Sequence, residues 1–269
     1  MAHPLDGVRE KIIRAEVHLA TITAESESHK NKCVIIAKKH PNRNSLFDLY
    51  ANFPDPSLGL SCLVSDCLHN LRTALNYVVY ALALKDGRPP IHSMFPICNT
   101  SIAYHRQVED RDRLNNVPKK ARAIIEGLQP YRPKGGSRFS HPLYVLNKLM
   151  NAEKHQMLAL AVACGPRPTL ILNEPNKRTD FELTSITEAF YDGARIEGQL
   201  LPGIHNDKVF MQIQRGLYVA FKDLPEVDAL DIALSKITEF IKDTVVPRFE
   251  PFFDRHSDRP VSLAAKSNG

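Results

Sequence analysis

The chain has 269 residues, enough for one large domain or two small ones, and 43% of them are apolar, which suits a packed core. A net charge of +5 with 24% charged residues argues against intrinsic disorder; it permits contact with phosphates but falls short of a strongly basic nucleic-acid signature. The five cysteines are odd in number and none has C-x-x-C spacing, so a disulfide framework or cysteine zinc site is not expected, and reduced, mostly buried thiols are.

The N-terminus MAHPLDGVREKII has no apolar signal core, and runs such as YVVYALAL and MLALAVAC are far too short to span a bilayer. These features predict a cytoplasmic protein with no membrane contact.

Leu5, Val8, Ile12, Ala15, Leu19 and Ile22 recur in steps of three and four, which predicts a first amphipathic helix fraying near Ser26–Asn31. CVIIAKK then reads as a short strand or extended piece, and KKHPNRNS as a basic loop turning at Pro41 and Asn42. Ser57 is a plausible N-cap for a second helix. Its apolar face is Leu60, Leu63, Val64, Cys67, Leu71, Leu75, Val78 and Leu82, and Gly87 with Pro89-Pro90 stops it. Residues 88–117 form a long connection in which MFPI is packed and HRQVEDRDR is a mixed-charge, solvated piece with a helix as one reading. Pro118 opens a short helix, KKARAIIEGLQ, ended by Gly127 and Pro130. A glycine- and proline-rich loop carrying Arg132, Lys134 and Arg138 leads to a third long helix, from about Pro142 through His155.

The period then changes. QMLALAVAC, PTLILNE, FELTSIT and KVFMQIQRGLYVAF read as strands of an antiparallel sheet, with a hairpin around Asp192-Gly193. Leu230, Ala233, Leu234, Ile237, Phe240 and Ile241 return to helix, ended by Pro247. The expected fold is α+β: a helical bundle with an attached small antiparallel sheet and a C-terminal helix packing back. The expected division is a bundle over 1–160, the sheet over 161–224, the last helix over 225–253 and a disordered tail over 254–269.

The second helix carries DCLHNLRTALNYVVYALALKDG, and the side opposite its apolar face is chemically unusual. Solvated helix faces are rich in Glu, Lys and Gln. Here His69, Asn70, Arg72, Thr73, Asn76, Tyr77 and Tyr80 stand there, several of them poor helix formers that make directed hydrogen bonds. A second constellation, LNKLMNAEKHQ, puts Asn147, Asn151 and Lys154 or His155 on one face. A groove between the two helices would gather a His pair, an Arg, a Lys and amides, a set able to bind an anion or a phosphodiester and to transfer protons. The candidate catalytic residues are therefore His69, Arg72 and His155. The candidate ligand-binding residues are Asn70, Asn76, Tyr77, Asn151 and Lys154. A structural polar layer, a dimer contact and, for Lys154 and His155, capping of a helix C-terminus are the plainer roles. Zinc would draw on Asp66, His69 and His155, but H-x-x-x-H and H-E-x-x-H are absent and no metal is expected. The glycine-rich nucleotide motifs and the serine-hydrolase motif are absent too, so no cofactor is expected.

HNLRTALNYVVYALA, with the later LNKLMNAEKHQ, resembles a group of uncharacterised bacterial proteins sharing H-N-L-R-x-A-L-D-H and N-x-x-K-H. The spacing of Arg, four residues, then His also resembles the HEPN-type helical nucleotide-binding and RNase families. That resemblance implies a dimeric helical bundle that cleaves RNA without metal, with the Arg on the scissile phosphate and the His as acid or base. Arg72 matches the Arg. The His falls on Tyr77, and Asn76 stands where the bacterial group often has Asp. A tyrosine, with an ordinary pKa of about 10, is a poor base at neutral pH. The expectation is an RNA- or nucleotide-binding protein with a weak or lost ribonuclease site; the alternative is a non-enzymatic module for dimerisation or protein interaction, using the first and last helices.

Overall fold

A computed structural model describes residues 3–39, 47–85, 91–132, 138–174, 177–182, 188–199, 208–224 and 227–254. The turn at Pro41 and Asn42, the stop at Gly87 and Pro89-Pro90, Lys134, the end of FELTSIT and the tail from 255 lie outside them.

The fold is α+β. In chain order come α1 (Asp6–Lys30), β1 (Val34–Lys39), β2 (Phe47–Asn52), α2 (Leu58–Leu84), α3 (Ser101–His105), α4 (Lys119–Gly127) and α5 (Pro142–Glu153). Then follow β3 (Leu160–Glu174), β4 (Lys177–Glu182), β5 (Phe190–Tyr191), β6 (Arg195–Gln199), β7 (Lys208–Phe221) and the C-terminal helix α6 (Leu230–Glu239). A π turn over Phe240–Val245 and 3-10 turns over Val246–Arg248 and Glu250–Phe252 continue α6. The chain divides into two compact units, one of residues 1–13, 70–144 and 238–269, the other of 14–69 and 145–237.

Helices α1, α2, α4, α5 and α6 form where the sequence places them, whereas α3 lies within the stretch read as a connection. On α1, Leu5, Val8, Ile12, Ala15 and Ile22 are buried, and the helix runs on to Lys30 through the stretch expected to fray. At the start of α2 the Leu60 N–H donates to Ser57 Oγ at 3.1 Å, the expected cap. Every residue of the predicted α2 face is buried except Leu63, which is half-buried. Leu68, Ala74 and Val79 are buried as well, so the apolar arc is wider than the three-and-four spacing marks.

In the first unit the buried side chains include Leu75, Val78 and Leu82 of α2, Phe95, Leu114, Ile125 of α4, and Phe249. Each fully buried Leu or Phe contributes about 1.5–3 kcal/mol. Four of the five cysteines are buried, only Cys62 is exposed, and all five are free thiols.

The second unit holds one antiparallel sheet in the order β4-β3-β7-β1-β2-β6, with β5 also paired to β3. It takes in β1 and β2, from within the 1–160 stretch, through the pairing of Ile35 with Met211. Along β1, Ile35 and Ala37 are buried while Lys38 is exposed, the alternation of a strand with one covered face.

Two strand expectations are corrected. QMLALAVAC and PTLILNE belong to one strand, β3, whose register against β7 shifts between Cys164 and Thr169. Pro166 and Pro168 cannot donate to the ladder, so the strand bulges there instead of ending. Gly216 on β7 stands opposite with φ +107, and a Cβ on it would come within 3.3 Å of Cys164 Sγ and Pro168 Cβ. The second correction concerns Asp192-Gly193. The turn forms, with Gly193 at φ +75, but its arms pair elsewhere, β5 with β3 and β6 with β2. Asp192 Oδ1 accepts the Phe53 N–H at 2.7 Å, tying the turn to the end of β2.

Candidate ligand-binding groove

Residues 93–98 of the first unit belong to no helix or strand, yet Phe95, Pro96 and Cys98 are buried. Buried backbone groups need partners, and here side chains supply them. Arg72 and Asn76, one turn apart on α2, meet the same residue. Arg72 Nη2 donates to the Phe95 carbonyl at 2.8 Å, and Asn76 Oδ1 accepts the Phe95 N–H at 3.1 Å. Arg113 Nη1 donates to the His92 carbonyl at 3.2 Å. Gln129 is fully buried: its Oε1 accepts the Cys98 N–H at 2.9 Å, and its Nε2 donates to the carbonyls of Pro96 and Ile125.

Electrostatics mark Arg72 as the costly member of this clamp. Burial pushes its pKa down to about 10; Cys98 works against that fall and Arg113 adds to it. The guanidinium stays charged at neutral pH. Its Nη1 is buried without a hydrogen-bond partner, as is Arg113 Nε. Nearby, burial pushes the Cys98 thiol up, against the pull of Arg72.

Beside the clamp the last turns of α2 open onto a groove of about 910 Å³. Tyr77, Tyr80 and Leu84 project from α2, Phe252 from the last 3-10 turn and Phe253 from the residue after it. Asn76, Ser93, Lys85 and Asp254 are the polar groups around it. Tyr77 and Tyr80 are 44% and 47% exposed. Three contacts hold the opposite wall. Lys85 Nζ donates to the Phe252 carbonyl at 2.8 Å, Arg9 pairs with Glu250 at 2.9 Å, and the His3 ring meets Phe253 edge-on. Gly7 admits the Tyr77 ring, since a Cβ on Gly7 would stand 3.3 Å from Tyr77 Cδ2.

The residues predicted from sequence fall into separate settings. Arg72 and Asn76 share Phe95, and Asn76 and Tyr77 share the groove. Asn70 Oδ1 accepts from Lys11 Nζ at 3.1 Å. In the second unit, His69 Nε2 lies 3.2 Å from the Glu153 carboxylate, and Lys154 Nζ donates to Asn151 Oδ1 at 3.3 Å. His155 is exposed in the turn after α5, its N–H on the Ala152 carbonyl. Among the described residues no group of three or more His, Cys, Asp and Glu is placed to hold a metal. No helix of the described residues is long and apolar enough to cross a membrane.

Gln129, Arg113, Tyr80 and Lys85 were not among the sequence candidates. Tyr80 was legible, since it lies on the polar stripe of α2. Gln129 had a fainter signal, a lone amide closing the apolar run of α4 beside Pro130.

No family model matches this chain, and no curated protein or solved structure matches it.

Proposed function

We propose that the groove of the first unit binds the base of a nucleotide or of an RNA strand, and that the ribonuclease chemistry implied by the HEPN-type resemblance is lost. The observation that carries this is the tyrosine pair. Tyr77 and Tyr80 lie one helical turn apart, nearly half exposed, on the wall of a groove whose other wall is also aromatic. Aromatic rings stack on any base, and one such contact contributes about 1–3 kcal/mol. Asn76 has two amide N–H donors beyond its bond to Phe95, and Ser93 has a hydroxyl, so a base edge meets donors and acceptors.

Catalysis has no comparable support. Arg72, the match to the phosphate-contacting Arg, is engaged by the Phe95 carbonyl, and Tyr77 replaces the acid/base His. The test is titration of AMP and of short oligo(A) and oligo(U) into the full chain, followed by heteronuclear NMR, with a parallel RNA cleavage assay in EDTA. Saturable shifts with uncut RNA are expected. Absence of binding at millimolar ligand removes the binding claim, and cleavage that disappears in Arg72→Ala removes the claim of lost chemistry.

The alternative, a dimerisation or protein-interaction module, is favoured by Ile13 and Val17. They are four residues apart on α1 and 52% and 61% exposed. Sedimentation decides it: a concentration-dependent dimer abolished by Val17→Glu supports a module, and a strict monomer contradicts it.

A further inference from the structure

We infer that the groove recognises the uncharged base and sugar of a nucleoside and leaves the phosphate outside. This rests on the base-stacking reading above and narrows its ligand. Three features of the groove disfavour a phosphate.

The first is the charge balance. Among the described residues the lining carries one cation, Lys85, and one anion, Asp254, whereas sites built for phosphate concentrate cations. The second is the state of that cation. Lys85 Nζ donates to the Phe252 carbonyl at 2.8 Å, where it staples the far wall of the groove to α2. Turning toward a phosphate would break that staple. The third is the direction of α2. Phosphates favour helix N-termini, where free N–H groups and the positive end of the dipole meet them. This groove is bordered by Tyr80, Leu84 and Lys85, the last turns of a helix ending at Leu84, so it faces the negative end.

What the groove does offer matches a nucleoside. Aromatic rings on both walls suit a flat heterocycle, and the Asn76 amide and Ser93 hydroxyl suit its polar edge. A volume of about 910 Å³ lies within the usual small-molecule range. A chain of nucleotides would lay phosphates against Asp254 and the carbonyl end of α2.

The experiment is calorimetric titration of the full chain with adenosine, AMP and ATP, each at low and at high sodium chloride. Adenosine and AMP are expected to bind within about threefold of one another, with little change on adding salt. Lys85→Gln, which loosens the far wall, is expected to change the adenosine and AMP affinities by the same factor, leaving their ratio within about threefold. Tyr77→Ala with Tyr80→Ala is expected to weaken both by tenfold or more. AMP or ATP binding at least tenfold tighter than adenosine, with affinity falling as salt rises, overturns the inference and leaves the base-stacking reading standing. A selective loss of AMP affinity in Lys85→Gln overturns it in the same way. Failure of all three ligands to bind the wild-type chain overturns both.

Discussion

Arg72 and Asn76 hold opposite ends of one residue's backbone, yet they are expected to contribute very differently to stability. The fall of the Arg72 pKa from the usual 12.5 to about 10 corresponds to a penalty of about 3 kcal/mol for holding the charge in this buried place. Replacing Arg72 by Met removes that penalty and keeps most of the packing. It also removes a hydrogen bond from a charged donor, which contributes about 1.5–3 kcal/mol. The two effects nearly cancel, so Arg72→Met is expected to lie within about 1 kcal/mol of wild type. Asn76 carries no desolvated charge. Asn76→Ala leaves the buried Phe95 N–H without its acceptor, at a cost of about 1–3 kcal/mol. At this chain length that lowers the thermal midpoint by roughly 2 °C or more per kcal/mol. Urea and thermal unfolding followed by far-UV circular dichroism measure both variants. Arg72→Met as damaging as Asn76→Ala would refute the reasoning, because the charged bond would then outweigh its desolvation.

Gln129→Leu keeps the volume but strips partners from the Cys98 N–H and the Pro96 carbonyl, so a loss of about 2–4 kcal/mol is expected in urea unfolding; a loss below about 0.5 kcal/mol would mean the segment finds other partners. His141 Nδ1 accepts the Leu143 N–H at the start of α5 at 3.2 Å, and burial holds its pKa below the usual 6.5. The unfolded chain therefore takes up the proton first, so this contribution is whole above pH 6.5 and falls as the pH drops below it. Thermal midpoints between pH 7 and 5 should decline less steeply in His141→Asn, which keeps an acceptor without titrating; an unchanged slope would exclude His141 as a source. Gly216→Ala forces a side chain onto φ +107 and to within 3.3 Å of Cys164 and Pro168, so it should cost more than about 1 kcal/mol by urea unfolding, whereas a neutral result would mean the β3 bulge yields.

How far the sequence carries depends on the range of the interaction concerned. Helices and their caps follow from local steps: the seam of α2, the cap at Ser57 and the opening at Pro118 are all where the spacing places them. Strand partners are long-range. Asp192-Gly193 specifies a bend, but nothing near it in sequence says that one arm pairs with β3 and the other with β2. Pro166 and Pro168 look like a strand end, and only the relief opposite them, at Gly216, makes them a bulge. The same divide runs through the candidate site. Residue type marks Arg72 and Asn76 as unusual, but their partner is the backbone of Phe95, and a backbone group has no sequence signature. Tyr77 entered as the position of a missing His, whereas its place in the groove depends on Phe252 and Phe253, far along the chain.

The central claim is that a base stacks on Tyr77 and Tyr80, and ring-labelled NMR reads that contact directly. With tyrosine rings carbon-labelled and assigned by single Tyr→Phe substitutions, adenosine titrated into the full chain should shift the Tyr77 and Tyr80 ring protons upfield and give cross-peaks to the adenine protons. Shifts confined to other tyrosines, or none at saturating adenosine, would contradict the account.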